Sequence, residues 1–301
     1  MALEWFYFAL LSSVLIAAVN IVDKVLISDY NIPPLVYVVV ISATSLMPLV
    51  IVPFIDFKVL SLAALTFTML VGFVRIYYTL PYFKALTIEE VSRVVPVLQL
   101  MPVFVLVLST IFLREVLRWQ DYSGFALLVI GGTLCAIRLK KGITVSVAFY
   151  LMIVSSFLLA VYSVGLKVLF SSEDFYSVFI WVQIAGFITL FQFMLFKPLR
   201  STLVTTYKTT RKRVRALIVG EQAVAYVSVF AYNYAIAHGA ISLVSAVAST
   251  QPLFVLLFAT AISYGFPTIL KERLTRQDII LKCFGIAIIF LGAFLINVYQ
   301  V

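Results

Sequence analysis

Tyr82–Thr110 reads YFKALTIEEVSRVVPVLQLMPVFVLVLST, and Tyr232–Thr260 reads YNYAIAHGAISLVSAVASTQPLFVLLFAT. At a constant offset of 150, ten positions are identical: Tyr82/Tyr232, Ala85/Ala235, Ser92/Ser242, Val94/Val244, Val97/Val247, Pro102/Pro252, Phe104/Phe254, Val105/Val255, Leu106/Leu256 and Thr110/Thr260. Beyond a short insertion at Ser263–Ile269 the match resumes. Glu115, Leu117, Gln120 and Asp121 fall on Glu272, Leu274, Gln277 and Asp278, and Gly124 and Gly131 fall on Gly285 and Gly292. A weaker echo opens each half, with Lys24-Val-Leu facing Lys167-Val-Leu. Duplication inside an apolar chain is the mark of a transporter built from two repeats.

The composition is that of a membrane protein. Of 301 residues, 63% are hydrophobic and 12% charged, and the mean hydropathy is +1.13; a soluble domain of this size could not keep so much apolar surface from water. A helix needs about 20 apolar residues to cross a bilayer. Ten segments qualify: 3–23, 34–54, 60–82, 91–113, 120–138, 144–170, 176–196, 215–237, 241–262 and 278–299. The runs lack the alternation of barrel strands, so helices are the spanning element. The first segment lacks the positive n-region and small-residue cleavage site of a removable signal. Cys135 and Cys283 both fall inside segments and read as buried packing thiols.

The net charge of +9 is concentrated rather than spread. Lys197, Arg200, Lys208, Arg211, Lys212, Arg213 and Arg215 stand in one loop between segments seven and eight. A basic loop beside a bilayer sets topology and attracts anionic headgroups; the further signatures of nucleic-acid binding are missing. Loops after odd-numbered segments carry Lys24, Lys84, Arg93, Arg138, Lys140, Lys141, this cluster, Lys271, Arg273, Arg276 and Lys282, against Lys58, Arg114, Arg118 and Lys167 on the other side. By the positive-inside rule both termini are expected outside the cytoplasm. Five segments per repeat, an odd number, insert the second half upside down relative to the first. The boundary falls in the loop after segment five, giving repeats over 1–140 and 141–301.

The ordered motifs resemble the drug/metabolite transporter superfamily, in its ten-helix EamA-type branch. They read Tyr82-Phe-Lys-Ala85, Pro102-Val-Phe, Arg114-Glu115-Val-Leu117 and Gly124 in one half, and Tyr232-Asn-Tyr-Ala235, Pro252-Leu-Phe, Lys271-Glu272-Arg-Leu274 and Gly285 in the other. The resemblance covers essentially the whole chain. It implies a secondary carrier with a central cavity and alternating access, and it leaves the substrate open, since related members move amino acids, metabolites, nucleotide sugars or drugs. Related ten-helix carriers would place the termini in the cytoplasm, opposite to the charge count.

Ionisable side chains in hydrocarbon are costly, by about 2.5–3.5 kcal/mol at a helix centre. Arg75 stands in segment three, with Tyr78 and Tyr82 on the same helical face. The repeat mates of Val71, Arg75, Tyr78 and Tyr82 are Glu221, Ala225, Ser228 and Tyr232. An Arg-bearing stripe thus faces a Glu-bearing stripe at equivalent places. Either Arg75 and Glu221 neutralise each other as a buried pair, or Arg75 binds an anionic group while Glu221 binds an amine or a coupling proton. Ser92 and Gln99 correspond to Ser242 and Ser249, with Gln251 beside Pro252; the hydroxyls either line a cavity or return hydrogen bonds to carbonyls. Pro96, Pro102 and Pro252 each remove a backbone donor and should kink their helices. Asn20 and Lys24 match Ser163 and Lys167. These lysines either snorkel to the interface or guard the cavity mouths, and Asp23 reads as a local partner of Lys24. The glycine pairs, seven residues apart on one face, mark segments five and ten as scaffold. Glu115 and Glu272 open turns beside basic residues. His238, the single histidine, reads as a loop residue.

No Walker-type phosphate loop, HExxH, paired-cysteine or GxSxG motif occurs; neither an enzyme nor a metal or cofactor is expected. The fold expected is all-α integral membrane, ten transmembrane helices in two inverted five-helix repeats. The function expected is secondary active transport of a small polar metabolite, amino-acid-like or an organic anion, across the cytoplasmic membrane by a monomer or homodimer. Its expected partners are the substrate, the lipid bilayer and a coupling proton, with no nucleic acid. Arg75, Tyr78, Tyr82, Gln99, Glu221 and Tyr232 are the candidate substrate-binding residues. Asn20, Lys24, Ser163 and Lys167 are the candidates for the cavity mouths. The rivals are an exporter of hydrophobic cations or drugs, and a membrane interaction or receptor protein that transports nothing.

Overall fold

The computed structural model describes residues 4–113, 119–136, 146–239, 241–265 and 276–298. The turns at Glu115 and Glu272 and the repeat junction at Arg138–Ile143 lie outside these residues, as do Arg114, Leu117, Arg118, Lys271, Arg273 and Leu274. The described residues form fourteen α-helices and no strand. In order these are α1 (Glu4–Ser28), α2 (Pro34–Thr44), α3 (Leu62–Tyr77), α4 (Thr79–Ile88), α5 (Val91–Leu98), α6 (Met101–Leu113), α7 (Trp119–Ala136), α8 (Val147–Phe170), α9 (Phe175–Met194), α10 (Lys197–Thr209), α11 (Lys212–His238), α12 (Ile241–Ala248), α13 (Gln251–Gly265) and α14 (Arg276–Val298). A 3-10 segment, Met47–Phe54, continues α2.

Among the described residues, seven stretches are long and apolar enough to cross a membrane: Glu4–Ser28, Pro34–Phe54, Leu62–Ile88, Val91–Phe112, Val147–Phe170, Phe175–Met194 and Lys212–His238. Segments 120–138, 241–262 and 278–299 also hold helices, but these fall below that mark over the described residues. Phe54, Leu62, Phe112, Phe191 and Phe294 stand exposed on the outside, where only lipid gives such side chains an apolar neighbour. The chain is an all-α, multi-pass membrane protein.

The basic connection expected as a loop is largely helix. Pro198 sits in the first turn of α10, where its missing N–H costs nothing. Leu199 buries one side of that turn, and α10 packs on α2 and α9. Leu199, Leu203 and Tyr207 recur at four-residue spacing, the helical period that the charges obscured. Two further cations counted as loop charges are interior. Arg93 and Lys282 are buried, with Arg93 Nε 3.1 Å and Lys282 Nζ 3.5 Å from the same Glu90 carboxylate oxygen, and Lys282 donates to the Ser92 hydroxyl.

The prolines do more than kink. α5 stops at Leu98 and α6 starts at Met101, while α12 stops at Ala248 and α13 starts at Gln251. Pro102 and Pro252 occupy the second residue of the resumed helices, so neither supplies the N–H that would bridge the break. The interruptions at 99–100 and 249–250 are 150 residues apart. Segment three also breaks, at Tyr78, whereas its counterpart α11 runs on through Ser228.

α7 and α14 cross through glycine. A Cβ on Gly131 would stand 2.7 Å from the Gly285 carbonyl oxygen, and one on Gly285 would stand 2.6 Å from Cys135 Sγ. Elsewhere a set of side-chain bonds occurs twice. Ser12 Oγ donates to the Ser228 carbonyl and Ser155 Oγ to the Tyr78 carbonyl, both at 2.9 Å. Ser13 reaches the Val247 carbonyl at 3.5 Å, and Ser156 the Val97 carbonyl at 3.1 Å. Lys24 Nζ donates to the Leu86 and Glu89 carbonyls at 2.6 Å each. Lys167 Nζ donates to those of Ile236 and Gly239 at 3.0 and 2.9 Å. In every pair the donors are 143 residues apart and the acceptors 150 apart. Each lysine satisfies the open carbonyls at a helix C-terminus, where a cation is also favoured by the helix dipole.

Candidate functional site

The broken helices, with Ser12, Ser13 and Ser228, border an interior space of two adjoining chambers. One, of about 110 Å³, is bordered by Ser12, Gln99, Tyr162, Ser228, Tyr232 and Asn233 among others. The second, of about 130 Å³, is bordered by Asn20, Asp23, Tyr82, Glu221, Gln222 and Tyr226 among others. Arg75, Tyr78, Ile16, Leu98, Leu159, Val229 and Gln251 border both and form the neck between them. Ile16 and Leu159 are mates at the 143 offset, so the neck carries the duplication inward. The described residues of α7 and α14 border neither chamber.

The structure therefore brings all six candidate substrate-binding residues to one space. Arg75 and Tyr78 lie at the neck, Gln99 and Tyr232 in the first chamber, and Tyr82 and Glu221 in the second. Of the four cavity-mouth candidates, Asn20 borders the second chamber. Ser163 is buried behind the wall, 3.4 Å from the Tyr232 hydroxyl. Lys24 and Lys167 border neither chamber, because their ammonium groups are spent on helix-end carbonyls. His238 is exposed, stacked on the Tyr234 ring. Ser249 returns its hydroxyl to the Ser245 carbonyl at 3.0 Å.

Arg75 and Glu221 do not pair. Arg75, 6% exposed, places its guanidinium carbon 5.3 Å from the Tyr226 ring centroid and Nη1 3.5 Å from Ser45 Oγ. No described carboxylate forms a salt bridge with it. Gly186 makes its room, since a Cβ there would lie 3.2 Å from Arg75 Nη1 and 2.8 Å from Ser45 Oγ. Glu221, 5% exposed, is held from α2 instead. Its Oε2 accepts from Tyr37 at 2.5 Å and from Gln222 Nε2 at 2.9 Å, while Oε1 has no partner. A buried guanidinium without a counter-charge is expensive, so a group that supplies one is favoured at the neck.

Sequence reasoning missed Asp23. It is 3% exposed and borders the second chamber, with Oδ2 3.1 Å from the Tyr82 hydroxyl and Oδ1 unpartnered. Adjacent residues on a helix do not face each other. Lys24 points toward the end of α4, while Asp23 shares the inward stripe of Ile16 and Asn20. The spacing of three from Asn20 was the available signal. Tyr162 and Asn233, joined by a 3.2 Å hydrogen bond in the first chamber, were missed as well. Their mates Val19 and Phe83 are apolar, so the repeat gave no polar pattern there.

Residues 3–137 match the model of the EamA-like transporter family. A protein of known crystal structure, 16% identical, superposes with a TM-score of 0.60 over 98% of this chain and 95% of its own, which shows a shared fold. Among curated proteins none matches the chain.

Proposed function

We propose that this chain, EamA-like over residues 3–137, is a secondary active carrier of a small polar metabolite with an anionic group, amino-acid-like or an organic anion. It works by alternating access between two inverted five-helix halves, 1–140 and 141–301, in the cytoplasmic membrane. The observation that carries the reading is Arg75, a cation at the neck of an interior space with no described carboxylate paired to it. A guanidinium offers several N–H donors in a fixed fork that matches a carboxylate or phosphate. The hydroxyl-rich first chamber gives the rest of a polar cargo its hydrogen bonds.

Two kinds of symmetry support the mechanism. The paired bonds of Ser12/Ser155, Ser13/Ser156 and Lys24/Lys167 make the halves alike at their junctions. The equivalent breaks at 99–100 and 249–250 put interrupted helices beside the cavity, the arrangement in which a carrier exposes backbone groups to its cargo. Rocking one half against the other exchanges two nearly equivalent packings, so neither access state is strongly preferred. Glu221 is the candidate for the coupling proton. By the charge bias, both termini face away from the cytoplasm.

The test is uptake into liposomes holding the purified protein. A panel of labelled organic anions, zwitterions and amine-only cations is offered with and without a pH gradient. Anionic or zwitterionic probes are expected to accumulate and amine-only probes not. The rival reading, export of hydrophobic cations, takes support from the carboxylates of the second chamber and requires the reverse order.

A further inference from the structure

The hydrogen bonds around Asp23 do not add up as a closed network. The Tyr82 hydroxyl lies 2.9 Å from Asn20 Oδ1 and 3.1 Å from Asp23 Oδ2, yet a phenol has one proton to give. Asn20 Nδ2 meanwhile has no partner. Turning the Asn20 carboxamide closes the count: its N–H donates to the Tyr82 oxygen and the Tyr82 proton goes to Asp23 Oδ2. The amide oxygen is then free. Three acceptors then lack a partner, the Asn20 oxygen, Asp23 Oδ1 and Glu221 Oε1, all on buried side chains of residues that border one chamber. Buried polar atoms without partners are rare and costly, and three beside a cavity mean that something else completes them.

We propose that the second chamber is a seat for an ammonium group of the cargo, received by Asp23, Glu221 and Asn20. This rests on the carrier reading and adds a cationic end to a cargo whose anionic group meets Arg75. An ammonium ion has three donors and no acceptor, the complement of the acceptor oxygens on Asn20, Asp23 and Glu221. Like charges this deeply buried do not readily ionise together, and an ammonium group between them relieves that repulsion. The duplication does not supply this seat. The mates of Asn20, Asp23 and Glu221 are Ser163, Leu166 and Val71, and the first chamber has no described carboxylate on its wall. The cargo is therefore bound in one direction, ammonium toward Asp23.

The experiment uses the purified full-length chain in nanodiscs, with propylamine and propionate as separate probes, each titrated while thermal unfolding is followed. Propylamine is expected to raise the melting temperature of the wild type. Its apparent affinity should fall at least tenfold in Asp23→Asn and in Glu221→Gln, and stay within threefold in Arg75→Gln. Propionate should behave in the opposite way, losing affinity only in Arg75→Gln. The melting temperature of each variant without probe reports whether it folds, and Asn20→Ser supplies a second, milder change expected to weaken propylamine binding. If propylamine gives no shift, or gives one that Asp23→Asn and Glu221→Gln both leave intact, the seat is wrong. Propionate binding that still depends on Arg75 would in that case leave the carrier reading standing, whereas its insensitivity to Arg75→Gln strikes at that reading alone.

Discussion

A single methyl group at the crossing of α7 and α14 tests how closely these two helices pack. In Gly131→Ala the added Cβ stands 2.7 Å from the Gly285 oxygen, 2.8 Å from Ile289 Cγ1 and 3.0 Å from the Ile289 nitrogen. Two of those three atoms are backbone and cannot swing aside. Ordinary contacts of this kind sit at about 3.5–4.0 Å, so the helices must part by roughly 0.5–1 Å, which forfeits a quarter to a half of each dispersion contact along the seam. Overpacking of this sort costs about 1–3 kcal/mol, a shift of roughly 5- to 150-fold in the unfolding equilibrium. Denaturant titration in mixed micelles, followed by tryptophan fluorescence, reads it directly, since Trp119 begins α7. Gly220→Ala is the control. Nothing lies within 4 Å of a Cβ there, and replacing a mid-helix glycine should stabilise by about 0.5–1 kcal/mol. A Gly131→Ala protein as stable as the wild type would refute the close crossing.

Lys24→Met and Lys167→Met should destabilise by similar amounts, about 1.5–3 kcal/mol each for lost charge-assisted bonds; the same titration checks this, and one costly and one neutral substitution would break the equivalence. Gly186→Ala inserts a methyl 2.8 Å from Ser45 Oγ and 3.2 Å from Arg75 Nη1. It should destabilise by about 1–3 kcal/mol, as overpacking does, and reduce uptake of an anionic probe severalfold per folded protein; normal uptake would mean that the placement of Arg75 is unimportant.

How much of this could be seen in the residues depends on the kind of signal. The all-α membrane fold followed from runs too apolar for water. Pro96, Pro102 and Pro252 pointed to kinks; the helices instead break at 99–100 and 249–250, just before Pro102 and Pro252, while Pro96 lies inside α5. The gathering of Arg75, Tyr78, Tyr82, Gln99, Glu221 and Tyr232 around one space was legible because helical spacing fixes faces and the repeat fixes which faces oppose. Partners were not legible. Tyr37, from a different helix, takes Glu221, and nothing in the spacing of either segment records that pairing. Asp23 was hidden by its neighbour Lys24, since adjacency in sequence suggests a pair that helical geometry forbids. Helix α10 was hidden by its charges, which describe the solvent around a segment better than its backbone.

The most direct test of the central claim is the initial rate of uptake, into matched liposomes, of the anionic or zwitterionic probe that the wild type accumulates. Arg75→Ala removes the guanidinium at the neck, and Glu221→Gln removes the charge while keeping the shape. The account requires at least a tenfold loss in Arg75→Ala, and loss of the response to a pH gradient in Glu221→Gln. Wild-type rates and a wild-type pH response in both proteins would contradict it.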